Sequence, residues 1–94
     1  MTREELLRKL RDLKPWLASQ GIGRVRVFGS YARDDAGPDS DIDLIVEITR
    51  PLGLRYFGIE RELSEKLGAP VEMSTESSLH RIVLRHALAE AIDA

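Results

Sequence analysis

Asp41 and Asp43, separated by one isoleucine in SDIDLIVEI, stand at the mouth of an apolar run. Alternate residues of a strand share a face, so this spacing points both carboxylates one way while Ile42, Leu44, Val46 and Ile48 bury the other. At a rise of about 3.3 Å per residue their Cα atoms lie roughly 7 Å apart, and both side chains can reach one ion or two adjacent ones. Like charges on one small face raise each other's pKa, a penalty that a bound divalent cation reverses. Oxygen ligands with no His or Cys beside them favour Mg2+ or Mn2+ over zinc. A third carboxylate, Glu72 in PVEMS, comes level with the pair if its strand lies beside theirs. Two carboxylates holding two metal ions, with a third acid to take a proton from an attacking hydroxyl, suit in-line phosphoryl or nucleotidyl transfer. Gly29 and Ser30 supply the other half of such a site. A glycine lets a phosphate approach the backbone closely, and SYAR is expected to open a helical turn whose free N–H groups and Ser30 hydroxyl face an anion. Arg33 either contacts phosphate or is an exposed arginine closing that turn.

These residues need strands and turns to hold them. RVRVFG at 24–29 alternates charge with valine and predicts a short strand, and IDLIVEI at 42–48 predicts a central one. Thr2 with Glu5 forms a capping-box pattern, and Leu6, Leu10, Leu13 and Leu17 recur at helical spacing, so a helix is expected from residue 2 to about 19, kinked or restarted at Pro15. Tyr56, Ile59, Leu63 and Leu67 mark a second helix over 54–67, stopped by Gly68. APVEMS reads as a third strand, and a last helix opens near Ser77 or Ser78. The order predicts an α/β (α+β) fold: a small three-stranded mixed sheet with flanking helices, one domain over 1–94.

The composition narrows the function. At 94 residues the chain suits one modest core and leaves no room for a separate substrate domain. With 14 Lys and Arg against 16 Asp and Glu, no bulk pull toward nucleic acid or acidic membranes is indicated, and direct nucleic-acid binding is not expected. The chain has no cysteine, which excludes disulfides and thiolate metal sites and is compatible with a cytoplasmic location. No signal-peptide core or membrane-length apolar run is present.

Simpler readings compete at several positions. DDAGPDSD is an ordinary turn composition, and Asp41 and Asp43 taken alone also fit a surface turn. Their coupling to Gly29 and Ser30 between two apolar strands favours the chemical reading. Glu72 is either part of the site or an acid facing solvent from a short edge strand. His80 is expected on the solvent face of the last helix, and His86 as a packed or interface histidine. Tyr56 and Phe57 read as core or as a partner-facing patch. The last helix carries Leu79, Ile82, Val83, Leu84, Leu88 and Ile92, a band wider than a small sheet requires, which hints at a protein partner.

The spacing Gly29-Ser30, ten residues, Asp41-x-Asp43 resembles the signature of the DNA polymerase beta-like nucleotidyltransferase superfamily. From about Arg24 to Leu84, RVRVFGSYARDDAGPDSDIDLIVEITRPLGL followed by LSEKLGAPVEMST is similar to the minimal nucleotidyltransferases. The resemblance implies a nucleotidyltransferase fold using ATP and two Mg2+ ions. Gly29 and Ser30 then match the triphosphate-binding turn, Asp41 and Asp43 the metal-binding pair, and Glu72 the third acid. It also implies an antitoxin that transfers AMP to a tyrosine of a HEPN-type toxin. Two positions depart from the pattern: Glu72 stands where aspartate is commoner, and Asp34 where glycine is usual. Two other readings are a non-catalytic antitoxin that occludes its partner and a transferase acting on a small molecule.

Overall fold

The computed structural model describes residues 1–94. The Thr2 hydroxyl accepts the Glu5 N–H at 3.1 Å and opens α1 (Arg3–Asp12). The expected helix to residue 19 is two helices, because α2 (Lys14–Ser19) restarts with Pro15 in its first turn. Proline has no N–H to donate, so the ladder breaks there and resumes when the Leu17 N–H reaches the Leu13 carbonyl at 2.9 Å. Leu6, Leu7, Leu10 and Leu17 are the buried residues of this pair.

β1 (Ile22–Phe28) runs antiparallel to β2 (Ile42–Ile48). α3 (Arg55–Leu67) then crosses over to β3 (Val71–Ser74), which lies parallel to β2. Ile59, Leu63 and Leu67 are buried at the predicted spacing, and Gly68 ends α3 in the left-handed region at φ 74°. A 3-10 turn (Glu76–Ser78) leads to α4 (Arg81–Glu90) and a two-residue strand, β4 (Ile92–Asp93), antiparallel to β1. The sheet order is β3-β2-β1-β4.

The sheet thus has four strands where three were expected. β4 is too short for a period-two signal and lies in a stretch read as helix. It is held by Arg24, whose Nε and Nη2 donate to the Asp93 carboxylate at 2.8 and 3.0 Å, and by the Ala94 N–H donating to the Val25 carbonyl at 3.0 Å. α4 starts at Arg81, later than Ser77 or Ser78, because Thr75 and Ser78 cap the 3-10 turn reciprocally. His80 does not lie on the helix face as expected; its Nδ1 accepts the Ile82 N–H at 3.2 Å as the N-cap of α4.

One face of the sheet carries the core. Val25, Val27, Ile42, Leu44, Val46, Val71 and Met73 pack there against α1, α2 and α3. Ile48, expected in this row, is 39% exposed at the far end of β2. On the opposite face the 3-10 turn and α4 form a thinner cover, beneath which Ile45 and Arg26 are buried. α4 buries only Ala87, while Ile82, Val83 and Leu88 are exposed, so the sheet leaves much of its wide apolar band unused. Phe57 is exposed and meets half-buried Tyr56 edge to face at 5.5 Å between ring centres. No helix is long and apolar enough to cross a membrane.

Candidate active site

The thinly covered face carries the acidic side chains. Phe28, Asp43 and Glu72 are register partners across β1, β2 and β3, so the parallel pairing brings Glu72 level with Asp43 as the sequence predicts. Asp41 precedes β2 by one residue and is exposed. The pairing still reaches it, because the Ile42 N–H donates to the Pro70 carbonyl at 2.8 Å. Asp43 is half-buried, and its pKa is pushed up, first by burial and then by the charges of Glu72 and Asp41, with Arg33 opposing. The mutual repulsion inferred from the spacing is present at Asp43, but loss of water is the larger cause.

Gly29 follows β1 with φ +72°, and a Cβ there would collide with the Asp43 carboxylate. Only glycine allows both the left-handed conformation and this approach. The chain then winds through a compact turn, in which the N–H groups of Arg33 and Asp35 donate to the carbonyls of Gly29 and Ser30 at 3.2 and 3.0 Å. Buried Tyr31 and Ala32 anchor the turn in the core, and Ser30 is half-buried. Asp34 adopts φ 60°, a left-handed conformation that glycine takes most readily. Its Oδ1 accepts the Arg3 N–H at 3.3 Å, and Arg3 Nη1 donates to the Ala32 carbonyl at 3.1 Å. The Asp34 charge is therefore engaged with the start of α1 and not with the Gly29–Ser30 turn.

Arg33 projects from this turn, half exposed, and donates from Nε to Asp35 Oδ2 at 3.3 Å. Its Nη1 lies 3.2 and 3.1 Å from the two oxygens of Glu90, and the Gly29 N–H donates to Glu90 Oε1 at 2.8 Å. Glu90, the last residue of α4, is the member of this site that sequence reasoning missed. The one available signal is local: a carboxylate at a helix C-terminus, which the helix dipole disfavours, needs a partner elsewhere.

Two further supports were not foreseen. α3 reaches over the edge of β3, where Ser64 Oγ accepts the Val71 N–H at 2.9 Å and Glu60 Oε2 accepts the Met73 N–H at 2.8 Å. These bonds hold the strand on either side of Glu72. Beneath α4, Arg26 Nη2 donates to Glu76 at 2.7 Å, while its buried Nε has no partner.

The donor set suits a hard divalent cation. No group of three or more His, Asp or Glu side chains converges tightly enough to cage an ion. Mg2+ is commonly held by one or two carboxylates, with water and substrate phosphates completing its shell. Asp41 and Asp43, oxygen-only side chains beside the Gly29–Ser30 turn, fit that mode, with Glu72 level with Asp43 one strand away. The acidic face is an open ledge; the surface grooves lie against α1 and Ile92, between α1 and the 36–38 loop, and along α4.

A family model described as the nucleotidyltransferase domain matches residues 3–93. A candidate protein adenylyltransferase of Methanocaldococcus jannaschii is 37% identical over 84 residues, 88% of this chain and 90% of that protein. MntA, a protein adenylyltransferase of Thermococcus cleftensis, is 34% identical over 73 residues, 77% of this chain and 74% of that protein. The solved structure of a candidate minimal nucleotidyltransferase superposes with a TM-score of 0.83 at 34% identity, covering 98% of this chain and 95% of that one. The same fold recurs in a toxin–antitoxin complex with AMP-PNP, at a TM-score of 0.69 and 19% identity, over 99% of this chain and 72% of that one. It recurs again in a tri-AMPylated Shewanella oneidensis HEPN toxin bound to its MNT antitoxin, at a TM-score of 0.59 and 18% identity, over 97% of this chain and 66% of that one.

Proposed function

The chain belongs to the nucleotidyltransferase domain family, among the protein adenylyltransferases related to MntA, and from that premise we propose that it transfers AMP from ATP to a tyrosine hydroxyl of a HEPN-type toxin, which it silences. The observation that carries this reading is the contact between the two halves of the site: Gly29 leaves no room for a Cβ beside the Asp43 carboxylate. A triphosphate on the Gly29–Ser30 turn therefore lies next to the acidic pair. The relatives that the chain matches are protein adenylyltransferases, which favours a protein as acceptor.

Each residue then has a role. The Gly29 N–H and Ser30 bind the β- and γ-phosphates, with Arg33 adding charge at the turn. Asp41 and Asp43 would hold Mg2+, with Glu72 close enough in register to serve a second ion. Bound there, the ions neutralise the phosphates and stabilise the charge that develops as the α-phosphate is transferred. The tyrosine oxygen attacks the α-phosphorus in line, the bond to the bridging oxygen of the β-phosphate breaks, and pyrophosphate leaves with that electron pair. Glu72, level with Asp43 on the same face, takes the phenolic proton.

The test is incubation with the toxin, Mg2+ and ATP labelled at the α-phosphate. Label should appear on the toxin, require Mg2+, and fall about a thousandfold in Asp43→Asn, the several kcal/mol that a metal-stabilised charge contributes. Undiminished transfer by that variant would overturn the assignment. One observation favours a second reading: Glu90 occupies the donors of the anion turn, as it would in a pocket retained without catalysis. A non-catalytic antitoxin would still protect cells when both Asp41 and Asp43 are replaced by asparagine, whereas a transferase loses protection.

A further inference from the structure

We infer that Glu90 is an internal competitor of the nucleotide, a carboxylate standing where the terminal phosphates of ATP bind, and that it sets the affinity of the site; this rests on the nucleotide-binding reading above. Two independent donors of the anion turn converge on this side chain. The Gly29 N–H, freed from the β1 ladder by the turn, donates to Oε1 at 2.8 Å. Arg33 Nη1 straddles both oxygens at 3.2 and 3.1 Å. A backbone N–H beside a guanidinium is the donor pattern that phosphate oxygens take, and a carboxylate offers the same charge sign and two acceptor oxygens that a guanidinium can pair with as it pairs with two oxygens of a phosphate.

The position of Glu90 argues against a role in helix stability. It ends α4, whose last turn has no basic residue, so its charge faces the negative end of the helix dipole. What offsets that cost is the contact with the turn. Its charge also reaches Asp43, adding to those of Asp41 and Glu72 around that carboxylate.

Release needs only a side-chain rotation. The backbone after Glu90 is pinned, because Ala91 is extended, Asp93 is clasped by Arg24 at 2.8 and 3.0 Å, and the Ala94 N–H donates to the Val25 carbonyl. α4 therefore stays while the Glu90 side chain swings to solvent, which frees Gly29 and Arg33 together. Arg33 keeps its contact with Asp35 at 3.3 Å and remains oriented over the turn.

The competition is read by nucleotide binding, independently of transfer. Mg-ATP, Mg-ADP and AMP are titrated into wild type, Glu90→Gln and Glu90→Ala by calorimetry at one ionic strength, with circular dichroism confirming the fold. Both variants should bind ATP and ADP at least threefold more tightly than wild type, with AMP unchanged because it lacks the phosphates that the turn holds. Equal or weaker ATP binding by both variants overturns the inference, as does an equal gain for AMP, which would report only a general change of charge. If no form of the protein binds ATP, the nucleotide-binding reading fails first and this inference with it.

Discussion

Asp43 carries a charge that its surroundings oppose, and that opposition has a measurable sign. An acid whose pKa is raised by folding holds its proton more tightly in the folded chain. The stability it lends is whole below the ordinary carboxylate range and is lost as pH rises through the raised value. Without metal, Asp43→Asn should therefore melt at a higher temperature than wild type at neutral pH, and the gap should close as the pH falls below the carboxylate range. Thermal melts in a chelating buffer at several pH values check this, and Mg2+ should raise the melting temperature of wild type only. The aspartate pair was legible because a strand's alternation converts the spacing of Asp41 and Asp43 directly into a shared face. Glu90 was not legible, since its partners Gly29 and Arg33 lie 61 and 57 residues away, and a carboxylate near a helix end calls for a partner without saying which.

At the scale of elements, the third acid depends on how β3 is held. Its outward N–H groups at Val71 and Met73 end on side chains of α3, so α3 both makes the crossover and finishes the edge of the strand. Ser64→Ala removes the acceptor of the Val71 N–H and should cost about 1–2 kcal/mol in denaturant unfolding. The same change should lower the rate of AMP transfer while leaving ATP affinity near wild type, because Glu72 moves and the phosphate turn does not. The types of the longer helices and strands were readable from periodicity, with Ile59, Leu63 and Leu67 as the clearest case, while the two-residue β4 was not. The boundaries were less so. Pro15 broke α1 from α2 by removing a single donor, and the Thr75 cap delayed α4, both being backbone events that an apolar stripe does not register.

At the scale of the molecule, the chain has one thick layer and one thin one. α1, α2 and α3 bury the core face, whereas the 3-10 turn and α4 cover part of the other and leave the acidic end open. The pair Arg26–Glu76 ties the thin layer to the sheet across 50 residues of sequence. Glu76→Ala leaves a nearly buried guanidinium unpaired and should destabilise the fold by about 2 kcal/mol, less than for a fully buried pair because Glu76 is half exposed. Denaturant unfolding measures it. The two-layer plan could be inferred from the order of elements, but Arg26 could not be assigned. In RVRVFG it reads as a solvent-facing charge, and only the return of the chain after β3 covers it.

The finished edge of β3 also bears on how the protein meets other proteins. An open sheet usually exposes a row of backbone donors and acceptors to which a passing strand can add, the route by which many β proteins recruit peptides or polymerise. Here the donors at Val71 and Met73 are already taken by α3. The β3 border therefore offers no free donor at these two positions to an incoming strand. Pairing through β3 is thus disfavoured, the exposed apolar residues of α4 are the more available contact surface, and the chain should resist fibres built on the β3 edge even when concentrated.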